Sequence, residues 1–473
     1  MKQVDMLRRA GRQPPLPLHL QLQGARTVHL TGWLRILPGK RLVGEGRLDG
    51  ERVLVKLFIA RGSARHFERE LAGIEALLGA DIPTPELLAT GALAGGGCFM
   101  ATRFIENAET LQARWEAAQP ADPGSEPAFG IVSEAVEAVA LLHQKGLVQT
   151  DMHLGNFLMQ HDTLYVIDGD AIEAHGDAAL PAAVAQHNLA LLLGQLPPDW
   201  DACRGQLLER YLQVNPAHAL AEEQVASDVD KVRQRRLADY LGKAIRDCTL
   251  FAVQRSWTRF VAVPRDDASR MSSIIKDPDC AFDGTLLKDG GSSTVATTMV
   301  DANLVVVKRY NIKGFSHWLK RFWRPSRAWH SWLAAHRLLF LGIATPKPLG
   351  MIESRFGPLR RKAWLVTEYC AGQDLLTVLG SEGERLPDKA LKAALLRTVN
   401  ALVAQQISHG DFKATNLIWN GEDLVLIDLD AMQAHPKRRG WQKAWQRDRA
   451  RLVRNWPARS PLARWLEEHL PTG

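Results

Sequence analysis

The residues best suited to chemistry stand in two short segments. In the first, Asp151 is followed after four residues by Asn156 and then, closing the apolar run LYVID, by Asp168; in the second, Asp411, Asn416 and Asp428 repeat the set. In-line phosphoryl transfer needs one carboxylate facing the attacking hydroxyl, and an amide oxygen with a second carboxylate to hold the magnesium that neutralises the phosphates. Asp151 and Asp411 are therefore read as catalytic carboxylates, and Asn156, Asp168, Asn416 and Asp428 as metal ligands. Upstream, Lys56 in VLVKLF and Lys308 in VVVKRY each end a Val-rich run, from which an ammonium can reach nucleotide phosphates. Glu70, in the helical stretch after Lys56, can pair with that lysine and hold it.

The two segments are copies. Residues 147–175 align without a gap on 407–435, and the identical pairs fall on polar positions: Asp151/Asp411, Asn156/Asn416, Asp168/Asp428, Asp170/Asp430 and His175/His435 among them. The same offset of 260 carries on from Gln186 to Gln446, and upstream DIPTPELLATG pairs with GIATPKPLGMI. These matches imply a duplication over most of the chain, with expected domains 1–250 and 251–473. A stretch rich in Pro, Ala and Gly, residues 119–130, reads as a surface loop within the first.

The elements that must position these residues change character along each copy. Short apolar runs with turn residues between them (TVHLTGWLRIL, RVLVKLFIA, GCFMATRFI) read as strands, and FERELAGIEALL has helical spacing. IVSEAVEAVALLHQKGL and KALKAALLRTVNALVAQQI read as helices running straight into the repeated Asp segments. The expected fold class is α+β: two tandem domains, each with a sheet-rich first lobe and a helical second lobe.

With strand Lys, helix Glu, Asp-x-x-x-x-Asn loop and metal Asp in this order, the chain resembles the protein-kinase-like superfamily. SHGDFKATNLIW, IDLDAM, GIATPKPLG and QRDRARLVRN make it similar, more narrowly, to the lipopolysaccharide core kinases, which phosphorylate heptose or Kdo sugars. That resemblance implies bilobal kinase-like domains, ATP and Mg as cofactors, and the core glycolipid as acceptor. It also places Lys413, two residues after Asp411, with Lys56, Glu70 and Lys308 at the nucleotide.

Departures from the pattern are as informative. Gln149 replaces the usual His in the first loop, whereas the second keeps His409. Ser331 falls where Glu70 would be, and no acid lies between Lys308 and Glu353, so no helix acid can hold Lys308, which must find another partner or remain mobile, and the first domain is expected to carry more of the transfer. Asp-Gly-Asp (168–170) and Asp-Leu-Asp (428–430) stand in place of Asp-Phe-Gly. The Gly-rich stretches GKRLVGEG (39–46) and KDGGSST (288–294) are candidate phosphate covers only by virtue of the lysine-bearing runs downstream of them. His175 and His435 are read as turn residues.

Composition bounds the partners. A chain of 473 residues with 46% hydrophobic content can bury two cores, and its net charge of +7 suits a phosphorylated ligand, nucleic acid or an anionic membrane face. The scattered Cys98, Cys203, Cys248, Cys280 and Cys370 indicate neither a disulfide frame nor a zinc site. With no apolar stretch of signal or spanning length, the expected place is the cytoplasm, with peripheral contact at the inner membrane. That contact rests on Trp318, Trp323, Trp329 and Trp332 interleaved with Lys313, Lys320, Arg321, Arg324 and Arg327; a helix burying its Trp face is the plainer account, and nucleic acid is not an expected partner. The reading is thus an ATP- and Mg-dependent kinase of a lipopolysaccharide inner-core sugar hydroxyl, against two others: a protein Ser/Thr kinase, and a pseudokinase pair serving as scaffold.

Overall fold

A computed structural model describes residues 3–22, 26–118, 123–176, 178–218, 220–311 and 325–473. The chain forms two compact units, Met1–Arg233 and Gln234–Gly473. Each begins with an antiparallel sheet and continues into a helical lobe, the protein-kinase-like arrangement.

In the first unit the sheet runs Leu18–Gln21, Thr27–Leu37, Arg41–Leu48, Glu51–Phe58, Cys98–Arg103, Leu87–Ala92. The alternation of RVLVKLF turns Val53, Val55 and Leu57 into the sheet's core and leaves Lys56 on the opposite face. The helix Ala64–Gly79 crosses that face, because Glu70, Gly73, Ile74 and Leu77 recur at helical spacing and are all buried. The helical lobe is built around Ala128–Gln144, whose apolar side packs with Phe157, Leu189, Tyr211 and Val225.

The second unit repeats this plan with a seven-stranded sheet: Phe251–Arg255, Arg259–Pro264, Pro348–Phe356, Leu359–Glu368, Asn303–Tyr310, Ser293–Val300, Thr285–Gly290. Apolar clusters cover both faces, one around Val305, Val307 and Ile352, the other around Phe260, Trp332 and Met351. The helix Arg327–Phe340 starts at Ser326, whose hydroxyl accepts from the Trp329 amide. Lys389–Ala404 centres the helical lobe and is capped in the same way by Asp388.

The division differs from the expected 250. It falls inside the helix Glu222–Lys243, since Val225, Val229 and Val232 pack in the first core while Leu237 joins the second. Beyond it, Tyr240 and Ala244 enter the Trp332 cluster, where the Tyr240 hydroxyl meets His336 Nδ1 at 3.0 Å and Trp332 Nε1 donates to the Ala244 carbonyl at 2.9 Å. Sequence periodicity shows the helix but not which core each turn serves.

A chain beginning at Gln234 should therefore melt as one cooperative unit. Beginning instead at Phe251 removes two buried hydrogen-bond partners and the Leu237 and Ala244 contacts, and should lower stability by roughly 3–5 kcal/mol. Equal denaturation midpoints for the two would show that residues 234–250 contribute nothing to the second unit.

Candidate functional site

In the first unit the residues singled out by the sequence converge as a cluster. Lys56 Nζ contacts Glu70 Oε1 and lies 3.3 Å from Asp168 Oδ1. Glu70 is wholly buried and also accepts the Gly169 amide at 3.1 Å, so it joins lysine to metal-Asp turn. Gly73 makes this possible: a Cβ there would sit 2.0 Å from the Gly169 carbonyl oxygen, so the helix lies directly on the turn. Burial raises the Asp168 carboxyl, but Lys56 and Arg41 outweigh it and hold it below its ordinary value. Asp170 pairs instead with Arg69 at 2.6 Å and Arg41 at 3.6 Å.

In the second unit Lys308 finds another partner. Lys308 does have an anchor: its Nζ is 2.5 Å from Asp428 Oδ1 and 2.9 Å from Asp430 Oδ2. Sequence reasoning looked for the acid on the helix, where Ser331 stands. Ser331 instead donates to Asp430 Oδ1 at 2.8 Å, and Tyr310 donates to the same oxygen at 2.7 Å. Arg327 also bonds Asp430. The anchoring carboxylate has thus moved from helix to loop, and the helix contributes a hydroxyl that orients it. Burial works to raise Asp430, yet Lys308, Tyr310 and Arg327 bring it down to about 2. The same burial beside Asp430 pushes the Tyr310 phenol well above its usual value, so it remains a donor. The signal that could have found this was the second Asp of Asp-Leu-Asp together with Tyr310, two residues after the lysine on the same face of its strand.

The two aspartates among the metal-ligand candidates, Asp168 (φ 71°) and Asp428 (φ 60°), adopt the left-handed conformation, a strained state that non-Gly residues keep where the surroundings fix it.

The catalytic-loop candidates are less alike. His409, kept neutral by burial, donates through Nε2 to the Ile427 carbonyl at 3.0 Å; Gln149 takes its place with Nε2 donating to Ile167 at 3.1 Å. The difference lies one residue on. Gly410 has φ 78°, and Asp448 accepts the amides of His409 and Gly410 at 2.6 and 3.0 Å. The first unit has Thr150 there, for which a positive φ is costly. Its amide donates instead to the Ala171 carbonyl at 2.7 Å, and Asn188, the counterpart of Asp448, donates to the Gln149 carbonyl at 2.8 Å.

The aspartates one position further on differ accordingly. The Asp411 side chain is 30% exposed and touches Asn416 Nδ2 at 3.1 Å, Lys413 at 3.3 Å and Arg451 at 2.5 Å. Burial alone raises its carboxyl; Lys413 and Arg451 with the Asn416 amide hold it below the usual carboxylate range. Asp151 is 73% exposed, with His153 at 3.9 Å as its ion-pair neighbour. Asn156 and Asn416 are buried, and each donates to the carbonyl of its aspartate, at 2.7 and 2.9 Å. Sequence reasoning noted the helix carrying Arg451 and Asp448 without giving either residue a part.

A cavity of about 400 Å³ in the second unit is lined by Lys308, Asn416, Asp428 and Asp430, with Val295, Val306, Leu365, Ile418 and Ile427 as apolar walls. Leu287, and Lys288 and Ser293 from the 288–294 stretch, also line it. In the 39–46 stretch, by contrast, Gly44 and Gly46 serve strand packing: a Cβ on Gly46 would lie 2.2 Å from the His29 carbonyl oxygen. His435 Nε2 meets Ser408 Oγ at 2.8 Å in a two-stranded turn. Of the basic Trp run, Lys313, Trp318, Lys320, Arg321, Trp323 and Arg324 lie outside the described residues. Trp332 is fully buried, and Trp329 packs on Phe260 with Arg360 over its ring, so these two match the plainer account.

Fold and cleft together define a protein-kinase-like chain. Residues 291–464, wholly within the second unit, match the Lipopolysaccharide kinase (Kdo/WaaP) family. The B1 kinases of monkeypox virus and of vaccinia virus (strain Western Reserve) are each 28% identical to it over 160 residues, 31% of this chain and 49% and 50% of theirs; the chain spans about half the length of these relatives. Among solved structures, WaaP in complex with acyl carrier protein is 21% identical, with 44% of this chain and 89% of that one covered and a TM-score of 0.34. The PknI kinase domain of Mycobacterium tuberculosis is 17% identical, with 44% and 95% covered and a TM-score of 0.28.

Asp430→Asn should destabilise the second unit by about 2 kcal/mol near neutral pH, as a carboxylate lowered from 3.8 to about 2 implies. Because the folded value is depressed, this contribution is complete above pH 4 and is lost as pH falls toward 2. Denaturant titrations of both proteins should therefore converge in acid; a pH-independent gap would mean that Asp430 acts through packing rather than charge.

Proposed function

We propose that the second unit is an ATP- and Mg-dependent phosphotransferase acting on a sugar hydroxyl of the lipopolysaccharide inner core, at the cytoplasmic face of the inner membrane. The observation that carries this is the Lys308, Asp428 and Asp430 cluster on one wall of an apolar cavity that Asn416 also lines. The match of residues 291–464 to the lipopolysaccharide kinase family supports the acceptor.

The residues present suit magnesium. Asn416 spends its NH2 group on Asp411, which leaves its amide oxygen uncommitted, and with the Asp428 carboxylate lining the same cavity the two offer a pair of hard oxygen donors. Asn416 and Asp428 would hold magnesium there, which would supply positive charge against the transferred phosphoryl group. Lys308, kept in place by Asp430, meets the nucleotide phosphates, and the apolar walls take the flat base. Asp411 accepts the proton of the acceptor hydroxyl, while Lys413 beside it offsets negative charge. In the first unit Lys56, Glu70, Asn156 and Asp168 form the corresponding set, but among the described residues the exposed Asp151 pairs with no Lys or Arg, only with His153. That unit fits a kinase fold retained with little turnover, the reverse of the ranking drawn from the missing helix Glu.

A protein acceptor is less favoured by one feature. Only residues 429–437 separate Asp428 from the helix Arg438–Val453, too short a segment to form a peptide-binding platform. Lipid attachment of the acceptor brings the enzyme to the membrane surface, and among the described residues no helix is long and apolar enough to cross it.

Incubation with γ-labelled ATP should label core oligosaccharide and leave a generic protein acceptor unlabelled. Asp411→Asn should lower turnover by about 10³-fold with nucleotide affinity nearly unchanged, whereas Asp428→Ala should weaken Mg-ATP binding itself. Label on protein alone, or equal loss of ATP affinity in both variants, would refute these assignments.

A further inference from the structure

Arg451 covers the carboxylate that must receive the acceptor proton. Its Nη1 is 2.5 Å from Asp411 Oδ1 and 3.2 Å from the Gly410 carbonyl. Oδ1 is occupied by Arg451 and Oδ2 by Lys413 and the Asn416 amide, so the Arg451 pair must open for the acceptor hydroxyl to reach Oδ1. Opening is cheap: the Arg451 side chain is 46% exposed, and an exposed pair of this kind is worth about 1 kcal/mol or less. A more highly charged anion can therefore compete for the guanidinium.

The same helix face continues the positive charge. Lys443, Arg447 and Arg451 recur at intervals of four, with Arg454 one turn further, so they form one exposed stripe. A shallow depression of about 630 Å³ is lined by Lys443, Gln446, Arg447, Ala450 and Arg454. Among the described residues no carboxylate pairs with Lys443, Arg447 or Arg454. At the offset of 260 the first unit has Ala183, His187, Leu191 and Gly194, so the stripe accompanies the covered aspartate and is missing where the aspartate is exposed.

We propose that Arg451, with Lys443, Arg447 and Arg454, forms a subsite for an anionic group on the acceptor, a phosphate or carboxylate, and that this group draws the guanidinium off Asp411 and frees the carboxylate for the acceptor hydroxyl. This rests on the reading of Asp411 as the hydroxyl-facing carboxylate. It makes the enzyme selective for acceptors already charged near the reacting hydroxyl, because a neutral sugar leaves Asp411 covered.

The test uses the full chain with delipidated core oligosaccharide, intact or dephosphorylated, without lipid. Arg451→Leu should lower kcat/KM for the phosphorylated form by about tenfold or more, as loss of a facing charge does, and should raise turnover of the dephosphorylated form. Nucleotide affinity reports that the site is folded. A parallel fall with both acceptors would make Arg451 merely structural and overturn the proposal. Binding is measured separately by calorimetry with a non-hydrolysable ATP analogue. Replacing Lys443, Arg447 and Arg454 by Ala should weaken phosphorylated oligosaccharide and flatten its salt dependence. If that triple variant differs from wild type only when phosphatidylglycerol vesicles are present, the stripe docks a membrane and the proposal falls. Equal affinity of the wild type for both oligosaccharides would also overturn it, yet leave the sugar reading intact. Binding of inositol hexakisphosphate that requires Arg451, with none of core oligosaccharide, would keep the anionic subsite and refute the sugar reading.

Discussion

A lysine ammonium inside a cleft must be held by a carboxylate, and the arrangement of both units depends on how that pair is made. An unpaired charge there costs several kcal/mol and would leave the lysine without a fixed place for phosphates. The first unit supplies Glu70 from the helix and needs Gly73 so that helix and metal-Asp turn can touch. The second supplies Asp430 from the turn itself, and Tyr310, Ser331 and Arg327 surround it with donors. Helix and loop exchange roles, and the lysine ends beside the metal-ligand candidate in both, Asp168 or Asp428.

The loops below the clefts diverge by a similar logic. Gly410 permits a backbone turn that presents two amides to Asp448, and Asp411 comes next in a half-covered position between cations. Thr150 resists that turn, Asn188 accordingly donates to a carbonyl, and Asp151 lies open to solvent. A kinase-like cleft can thus keep its lysine, asparagine and two aspartates and still differ at the candidate catalytic carboxylate. The exposed carboxylate lies in the unit outside the family match.

Much of this was legible in the sequence. The repeat at offset 260 and the switch from period-2 runs to helical spacing pointed to the two-lobed plan, because burial tracks periodicity. Lys56, Glu70 and Asp168 could be grouped since their order along the chain reflects a contact each makes in the cleft. Asp430 could not be assigned to Lys308, because the two are 122 residues apart and only the folded turn aims that side chain. Arg451 was hidden likewise: on a helix with many cations, nothing in spacing tells which one meets Asp411. The division within Glu222–Lys243 escaped because one continuous helix serves two cores, and a helical pattern carries no mark of where its partner changes.

The proposed function requires the second cleft to be the reacting one, with its lysine held from the loop. The most direct test is phosphate transfer from labelled ATP to core oligosaccharide by the full chain carrying Lys308→Ala or Lys56→Ala. Loss of a phosphate-positioning lysine lowers transfer by about 10²-fold or more when it belongs to the working site. Lys308→Ala should bring transfer to that level while Lys56→Ala leaves most of it. Transfer that survives Lys308→Ala and disappears with Lys56→Ala would contradict this assignment and return catalysis to the first unit.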